Sequence, residues 1–599
     1  MLKSTLCALV GCASISLASV LATPPHHPHK LDRRQLSPLV TEIIGDFLKA
    51  TDCAGCDAED PDVCTGAIGS EGPILAADLR GMTIPSTTSQ LFCITLAGLC
   101  DYPPVDPYTI PFPTPNPPGS CPASPSGQTP IKVVHISDIH IDPAYEVGAN
   151  ANCTKPICCR PYTTADSPGN NNDPAGPYGN TKCDAPVSLE ESMYDAINQF
   201  APDAAFTIFT GDVVEHDIWL VNEAEAISDI NDANTRMKAK LNLVYPVVGN
   251  HESAPVNAFP PMDLAGTASN QWVYDTLSND WKSWIGAAAA NSTDHDGSYS
   301  ILHPGSNLRI ISFNTNFYYK ENFWLYEPTI ERDPDGQLAW LVSELESAES
   351  SGERVWIIGH MPMGCGDALH DGSNYFNQII TRYSKTISGL FFGHTHIDQF
   401  EIAYSDYTAQ SAENAIAMSY ITPSMTPTSG PPAFRVYDID PVTFGVLDFT
   451  VYIANISDPA YQSGPVWQKY YSAKETYGPL ANPPVTDPAA ELTPGFWHSV
   501  TDAFNSNDAE FQAYIARQSR GFAVKECTGT CKTQEICQLK AAEAQYNCVP
   551  VVPGISFTKK HKRDVEEGLA YTSDCGGSVL IKTVKSLVHG DVDVKKMMM

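Results

Sequence analysis

The chain has 599 residues, of which 69 are Asp or Glu and 36 are Lys or Arg, so its formal net charge is −33. Proteins bind nucleic acids mainly through Lys and Arg side chains that displace counterions from phosphates, so this balance argues against nucleic-acid binding. Hydrophobic residues make up 43% of the sequence and aromatic residues 10%, which is enough for packed cores and excludes wholesale disorder. At about 150 residues per domain, the length predicts several folded units.

A secretory signal peptide is predicted over residues 1–22. Lys3 is followed by an apolar run that ends at Ala22 and is too short to span a membrane. Residues 23–35 are a predicted propeptide, in which the pair Arg33-Arg34 is either a processing site or a solvated basic patch. No later stretch is long and apolar enough for a transmembrane anchor. We therefore expect a secreted, extracellular protein or one that resides in an acidic lysosome- or vacuole-like compartment.

The cysteines and glycosylation acceptors agree with secretion. The chain has 18 cysteines, and Cys7 and Cys12 belong to the predicted signal peptide, which leaves 16. An even number in an exported chain favours disulfide bonds. Three N-x-S/T acceptors are present, at Asn152, Asn291 and Asn455.

The composition changes along the chain and predicts its organisation. Residues 36–100 have apolar positions at helical spacing and five cysteines, which predicts a small, disulfide-stapled helical unit. Residues 101–130 are rich in proline and predict a semi-rigid linker. Residues 131–486 alternate short apolar runs with amphipathic segments, as in an α/β domain built around buried sheets. Residues 487–558 are helical again and end in a cysteine cluster, and the basic tail 559–599 is predicted to be disordered.

Nine elements are predicted within the α/β region. The strands are Lys132–Ile136, Ala205–Phe209, Val244–Val248, Arg309–Phe313, Arg354–Ile358 and Ile387–Phe392, and the helices are Leu189–Phe200, Leu220–Leu241 and Gln337–Ser350.

Five short motifs carry metal-ligand side chains just after apolar strands. The motifs are DIH, GD, GNHE, GH and GHTH, and their donors are Asp138, His140, Asp212, Asn250, His360, His394 and His396. A lone histidine after a strand is usually a surface residue, but five such motifs in one domain indicate a shared site. The donors are too many for one tetrahedral ion and suit two ions that share a carboxylate. Two adjacent metals can hold a hydroxide and stabilise an in-line phosphoryl displacement, which predicts phosphoester hydrolysis.

In this order the motifs resemble those of the calcineurin-like metallophosphoesterases. The longer segments HISDIHIDPAY, TGDVVEHDIW, YPVVGNHES, IIGHMPMG and FFGHTHIDQFE resemble the acid sphingomyelinases, and the resemblance covers about residues 53–550. It implies a metallophosphoesterase sandwich of two central β-sheets flanked by helices. It also implies an N-terminal saposin-like all-α domain and a C-terminal helical, disulfide-bonded subdomain.

The resemblance also implies a role for each site residue. One zinc ion would be bound by Asp138, His140, Asp212 and His396, and a second by Asp212, Asn250, His360 and His394, with Asp212 bridging the two ions. His251 would donate a proton to the leaving alkoxide, and His216 would contact the phosphate or assist that protonation. The alternative, that these two histidines only orient the metal ligands, stays open.

Six disulfides are implied by the resemblance: Cys53 with Cys100, Cys56 with Cys93, Cys153 with Cys158, Cys159 with Cys183, Cys527 with Cys531, and Cys537 with Cys548. The saposin-like pattern is irregular, because only seven residues separate Cys56 from Cys64 and a sixth cysteine is missing. The region is therefore either a lipid-handling module or a structural lid. The partners of Cys64, Cys121, Cys365 and Cys575 remain unassigned.

The implied function is that of a monomeric, secreted, zinc-dependent sphingomyelin phosphodiesterase. It would hydrolyse sphingomyelin, or a related phospholipid at a membrane or micelle surface, to ceramide and phosphocholine by attack of a metal-bound hydroxide on phosphorus. One alternative keeps the chemistry and acts on nucleotides or other soluble phosphodiesters. Another is a non-catalytic lipid-binding protein. A serine hydrolase is disfavoured, because the sequence has no G-x-S-x-G elbow.

Overall fold

A computed structural model of the protein describes residues 60–83, 85–97, 102–115, 124–264, 269–327 and 329–548. Several predictions lie outside these residues: the signal peptide, the propeptide, the start of the helical unit and the basic tail. Cys53, Cys56, Cys100, Cys121 and Cys575 also lie outside them, so the two disulfides implied for the saposin-like region remain predictions.

Twelve strands form two sheets in the described part of the chain. In chain order they are β1 (Ile131–Ile136), β2 (Phe206–Phe209), β3 (Val244–Pro246), β4 (Tyr299–Leu302), β5 (Leu308–Ser312), β6 (Arg354–Ile358), β7 (Ile387–Phe392), β8 (Gln399–Tyr404), β9 (Ala415–Ile421), β10 (Ala433–Ile439), β11 (Val446–Ala454) and β12 (Trp467–Ser472). One six-stranded sheet has the order β12-β11-β10-β1-β2-β3, and the other has the order β4-β5-β6-β7-β9-β8.

The α-helices of the described residues are, in chain order, α1 (Pro61–Gly81), α2 (Thr87–Ala97), α3 (Val187–Phe200), α4 (Glu223–Lys240), α5 (Gln271–Asp296), α6 (Gln337–Ser351), α7 (His370–Arg382), α8 (Ala473–Tyr477), α9 (Pro494–Ser506), α10 (Asp508–Gln518) and α11 (Thr530–Leu539). No helix among these residues is long and apolar enough to cross a membrane.

The parallel strands position the site. Strands β1, β2 and β3 run parallel in the first sheet, as do β5, β6, β7 and β9 in the second. Parallel strands are covered on both faces and read as continuous apolar runs, which is why β6 and β7 have the bounds that the sequence predicts. The turns that follow such strands gather at one edge, where ligands of α/β proteins bind.

Several predicted boundaries are wrong by one to three residues, and local chemistry explains two of these differences. The helix predicted from Leu220 begins at Glu223, because the Asn222 side chain accepts hydrogen bonds from the backbone N–H groups of Ala224 and Glu225 and so caps the helix. The strand predicted to reach Val248 ends at Pro246, because a proline cannot donate a ladder hydrogen bond and the chain turns into the GNHE motif.

The linker packs on the α/β domain rather than standing away from it. Residues 102–115 contain no helix or strand. The Tyr108 ring meets Tyr375 of α7 edge to face at 5.4 Å, and Phe112 meets Tyr383 at 6.0 Å. The backbone N–H of Ile110 donates to Oε1 of Gln378 at 3.0 Å. These contacts fix the extended segment along one side of α7.

Helix α1 packs against the turns that follow β2 and β3. Val63 and Ala67 of this helix form a buried apolar cluster with Ile218, Trp219 and Val256. Trp219 and Val256 follow the predicted catalytic histidines by three and five residues along the chain. The helical N-terminal region is therefore in direct contact with the loops that carry those histidines.

Four disulfides are present among the described residues. They join Cys153 to Cys158, Cys159 to Cys183, Cys527 to Cys531, and Cys537 to Cys548. These are the pairs that the family resemblance implies for this part of the chain. Cys365 is buried and forms no disulfide within the described residues.

Candidate dimetal site

All seven predicted metal ligands lie together at the carboxyl ends of the parallel strands. Asp138 and His140 follow β1, Asp212 follows β2 and Asn250 follows β3, while His360 follows β6 and His394 and His396 follow β7. Each of the seven side chains is fully buried. The two sheets thus bring together residues that are up to 258 positions apart, the separation of Asp138 and His396.

Five of these residues have a left-handed backbone conformation. The φ angle is 50° at Asp138, 37° at His140, 64° at Asp212, 70° at His394 and 60° at His396. Non-glycine residues rarely adopt positive φ, at a cost of about 1–3 kcal/mol each, and such residues cluster at functional sites. The tight turns point the side chains into one buried space, and the rest of the fold sustains this local strain.

The first set of donors consists of Asp138, His140, Asp212 and His396. Their ligand atoms all lie within 4.8 Å of one another. His140 Nε2 lies 3.5 Å from Asp212 Oδ2 and 3.2 Å from His396 Nε2. His396 Nε2 also lies 3.4 Å from Asp138 Oδ1. The described residues therefore contain a candidate metal site of two carboxylates and two imidazoles.

A second set of donors shares Asp212 with the first. His360 Nε2 lies 3.1 Å from Asp212 Oδ2 and 2.8 Å from Asn250 Oδ1. His394 Nδ1 lies 3.0 Å from Asn250 Oδ1 and 3.3 Å from His360 Nε2. Asp212 Oδ2 thus lies between the histidines of both sets, which is the position that a bridging carboxylate requires.

The hydrogen bonds behind the imidazoles leave lone pairs directed into the site. The Nδ1 atoms of His140 and His360 donate to the backbone carbonyls of Val214 and Thr210, both at 2.6 Å. In a neutral ring the other nitrogen, Nε2, is then an acceptor and a metal ligand. Asp212 Oδ2 is buried and faces the Nε2 atoms of His360 and His140, at 3.1 and 3.5 Å. Imidazole nitrogens and a carboxylate oxygen that face one another in a buried space fit divalent cations between them.

Comparison with known proteins agrees with this geometry. Residues 131–398 match the family model described as calcineurin-like phosphoesterase. Sphingomyelin phosphodiesterase B of Dictyostelium discoideum is 32% identical over 517 residues, which cover 83% of this chain and 77% of that protein. Sphingomyelin phosphodiesterase of Bos taurus is 36% identical over 443 residues, which cover 71% of this chain and 67% of that protein. The chain belongs to the sphingomyelin phosphodiesterase family.

A more distant relative is named for a different activity. A human cyclic GMP-AMP phosphodiesterase is 28% identical over 427 residues, which cover 68% of this chain and 86% of that protein. The predicted family and fold class are confirmed for the described residues: a calcineurin-like metallophosphoesterase domain, two mixed sheets flanked by helices, and a disulfide-bonded C-terminal region. As a member of this family, the chain is a phosphoric diester hydrolase.

The electrostatics of this phosphodiesterase centre are dominated by burial and by Asp212. Burial alone would raise the pKa of Asp212, but charge attraction to His360 and His251 holds it well below its usual value. Burial opposes protonation of His360, yet Asp212 raises the pKa of that imidazole to about 9. Burial lowers the pKa of His140 well below its usual value, and the neighbouring imidazoles add to the effect. The centre therefore carries a concentrated negative charge at Asp212 that attracts cations.

The two predicted catalytic histidines lie beside the first donor set. The ring centroid of His216 lies 3.8 Å from that of His140 and 4.8 Å from that of His251. His251 donates from Nδ1 to the Glu215 carbonyl at 3.2 Å, and its backbone N–H donates to Asp212 Oδ1 at 2.9 Å. Burial lowers the pKa of His251 to about 3, although Asp212 opposes this effect. At this pKa the ring is neutral at mildly acidic pH despite the nearby charge of Asp212.

His216 is also close enough to the first donor set to serve as a metal ligand. One ring nitrogen of His216, one of His140 and one of His396 lie within 4.8 Å of one another. Its Nδ1 lies 2.6 Å from Asp184 Oδ1, and its backbone N–H donates to Asp184 Oδ2 at 2.6 Å. The carboxylate thus holds both the ring and the backbone of His216 in place.

Three supporting carboxylates were missed by the sequence analysis. They are Asp184, Glu252 and Asp367, each buried. Glu252 accepts from the backbone N–H of Val213 at 2.6 Å and so shapes the turn that carries Asp212. Of the three, only Glu252 lies within a sequence motif that could have indicated its role, as the last residue of GNHE. Asp184 and Asp367 lie in loops, and only the folded structure brings them to a histidine.

Proposed function

We propose that the protein is a secreted, dizinc sphingomyelin phosphodiesterase that hydrolyses sphingomyelin to ceramide and phosphocholine. The observation that carries the proposal is the pair of donor sets that share Asp212 Oδ2, with His251 and His216 beside them. The names of the relatives supply the substrate class. The buried cluster of imidazole nitrogens and carboxylate and amide oxygens supports a two-metal reaction.

The donor chemistry supports zinc. The two sets comprise four imidazoles, two carboxylates and one amide oxygen, and nitrogen-rich sites favour zinc over magnesium or calcium. When bound, two zinc ions would supply Lewis acidity and an activated water for attack on phosphorus. Asp212 would bridge the ions, Asp138, His140 and His396 would complete one set, and Asn250, His360 and His394 would complete the other.

His251 would donate a proton to the leaving alkoxide. Its Nδ1 proton is committed to the Glu215 carbonyl at 3.2 Å, so Nε2 is the nitrogen that exchanges a proton with substrate. Because burial lowers the pKa of the ring to about 3, protonation requires an additional negative charge beside it. A bound phosphodiester carries that charge and would favour the imidazolium. His216, held by Asp184 and with its ring centroid 4.8 Å from that of His251, would contact the phosphate beside the proton donor.

A lipid substrate is supported by helix α1 at the rim of the site. The helix packs on Trp219 and Val256, which follow His216 and His251. We propose that the saposin-like region brings a phospholipid from a membrane or micelle to these loops. The soluble-substrate alternative is favoured by one observation, the relative named as a cyclic GMP-AMP phosphodiesterase. A non-catalytic lipid-binding role is disfavoured, because every predicted ligand is present and converges.

Secretion is supported by the four disulfides and by the exposure of the acceptors Asn152, Asn291 and Asn455. Oxidising compartments are where such bonds persist. N-glycosylation of the three asparagines and a monomeric state belong to the proposal and are tested by mass analysis of the exported protein.

The test uses the purified full-length chain with sphingomyelin in mixed micelles and with cyclic GMP-AMP. Zinc content is measured alongside turnover, before and after treatment with 1,10-phenanthroline. We expect two zinc ions per chain, hydrolysis of sphingomyelin in preference to the dinucleotide, and loss of activity that returns when zinc is added. Cleavage of the dinucleotide alone would reject the lipid substrate. An Asp212→Ala variant that still holds two ions would reject the bridge.

A further inference from the structure

Arg160 gathers three buried carboxylates around the segment that carries His216. Its Nε donates to Asp142 Oδ2 at 2.8 Å, and its Nη2 contacts Asp142 Oδ1 at 2.7 Å and Glu215 Oε1 at 2.8 Å. Its Nη1 donates to Asp217 Oδ2. The arginine is only 5% exposed, so these charges interact out of reach of screening by solvent.

The three carboxylates belong to the segments that carry the site histidines. Asp142 follows His140 by two residues, while Glu215 and Asp217 flank His216. The backbone carbonyl of Glu215 accepts the hydrogen bond from His251 Nδ1. One guanidinium therefore anchors the turn after β1 and the turn after β2, and through Glu215 it reaches the second histidine as well.

The balance of charge explains why an arginine is needed. Burial raises the pKa of Glu215 well above its usual value and that of Asp217 to about 8, and Arg160 opposes both shifts. Glu215 Oε2 and Asp217 Oδ1 find no other donor among the described residues. Without the guanidinium, three acidic groups would lie together in a buried space, and their repulsion or protonation would shift the loop. A lysine has one point charge and cannot reach all three groups in this planar arrangement.

A disulfide links this anchor to the other support of His216. Cys159, which precedes Arg160, is bonded to Cys183, which precedes Asp184. Asp184 holds the ring and the backbone of His216 at 2.6 Å. The disulfide thus links the neighbours of Arg160 and Asp184, the two residues that hold the segment of His216 in place.

We propose that Arg160 is a positioning residue that orients His216 and His251 toward the leaving group. The Cys159–Cys183 disulfide holds the segment that carries Arg160 in place. This inference rests on the proposed function, because it assigns a task within that reaction. Among the described residues, the Arg160 side chain forms no hydrogen bond with any of the seven predicted metal ligands. Its loss should therefore affect proton delivery and leave the metal ligands in place.

The test compares leaving groups. Sphingomyelin and cyclic GMP-AMP release alkoxides, which need a proton, whereas 4-nitrophenyl phosphocholine releases a stable phenolate, which does not. We expect Arg160→Gln to lower kcat on the alkoxide substrate by about 10- to 100-fold. Hydrolysis of the nitrophenyl ester should change by less than about threefold, since protonation contributes little there. The zinc content should stay at the wild-type value, and Arg160→Lys should give an intermediate loss.

The matched control is Arg382→Gln. Arg382 is also buried and also paired with carboxylates, at 2.9 Å from Glu349 Oε2, but it lies on α7 without contact to the site histidines. The Arg382→Gln variant should have a lower Tm, and any change in kcat should be the same for alkoxide and phenolate leaving groups. The positioning role would be overturned if Arg160→Gln lost the same kcat on both substrates or lost zinc. It would also be overturned if both Arg160 variants kept the wild-type kcat on the alkoxide substrate. If the wild type cleaves the dinucleotide but not sphingomyelin, the lipid substrate fails while the dinucleotide still tests Arg160.

Discussion

The Nε2 of His394 lies 3.1 Å from Oδ2 of Asp367, while Nδ1 of the same ring lies 3.0 Å from Oδ1 of Asn250. The carboxylate accepts the proton on one side of the ring and turns the other nitrogen toward the second donor set. Lys320 Nζ lies 2.7 Å from the other oxygen of Asp367, and attraction to this ammonium helps to hold the pKa of the carboxyl far below its usual value despite burial. Asp367 therefore stays a charged acceptor in the mildly acidic range.

Asp367→Asn should weaken metal binding at the second donor set. An amide is a poorer acceptor than a carboxylate, and loss of such a partner lowers metal affinity by about 10- to 100-fold. The measurement is zinc retained after dialysis against a graded series of chelator concentrations. Asp371→Asn is the control, because Asp371 accepts a hydrogen bond from the Asp106 backbone at 2.9 Å and has no bond to a site histidine. Equal retention in the wild type and Asp367→Asn would contradict the role of Asp367.

His251→Ala should separate turnover from metal binding. We expect kcat on sphingomyelin to fall by about 10²- to 10⁴-fold, the usual contribution of a positioned acid. Both zinc ions should remain, because the ligand that precedes His251 is unchanged. Activity and zinc content measured on one preparation check the prediction, with His295→Ala, an exposed histidine of α5, as the control. Full turnover in His251→Ala would reject the proton-donor assignment.

The sequence predicts six of the seven strands that have a parallel neighbour and misses β9. It also misses the strands that pair only in antiparallel fashion, β4, β8, β10, β11 and β12. Strands β6 and β7 are covered on both faces, so their apolar runs are continuous. Strand β12 reads WQKYYS and exposes two residues near its start, so its pattern resembles a loop as much as a strand. Helix α5 is also missed, because Gly286, with φ of 76°, interrupts the helical spacing.

The metal ligands could be predicted because each lies in a short motif beside a strand. Their supports could not, because a carboxylate that contacts a histidine across the fold has no fixed spacing from it in the sequence. Asp367 lies 27 residues before His394, and Asp184 lies 32 residues before His216. Only the arrangement of the strands decides which loop residues meet.

Gly66→Ala should loosen helix α1 from the catalytic domain. A Cβ at this position would collide with the backbone carbonyl of Trp219, so the helix or the loop after His216 must move. We expect lower activity on micellar sphingomyelin and a smaller effect on the nitrophenyl ester. Gly69→Ala is the matched control, because a Cβ there meets no atom within 4 Å. Because alanine favours the helix more than glycine does, the same loss in both variants would show that the Trp219 contact is not responsible.

Asp78 on α1 should make the fold less stable as the pH rises. The side chain is fully buried, and neither carboxylate oxygen has a hydrogen-bond donor among the described residues. Burial raises its pKa to about 9, and the nearby carboxyls of Glu327 and Glu71 add to the shift. Because the folded pKa lies above the unfolded value of about 3.9, the stabilising contribution of the protonated form is complete below about pH 4. It is lost as the pH rises toward 9, by up to about 1.4 kcal/mol per pH unit.

Asp78→Asn removes this titration, because an amide stays neutral over the whole range. We expect similar Tm values for the wild type and the variant near pH 4.5, and a higher Tm for the variant near pH 8, with thermal unfolding followed at half-unit intervals. Asp232→Asn, on the exposed face of α4, should leave the pH dependence of the wild type unchanged. Parallel curves for the wild type and Asp78→Asn would mean that the carboxyl ionises as readily in the folded chain as in the unfolded one. A weaker dependence of Tm on pH in Asp78→Asn than in the wild type would instead show that helix α1 packs stably beside the site only in the acidic pH range, where the carboxyl keeps its proton.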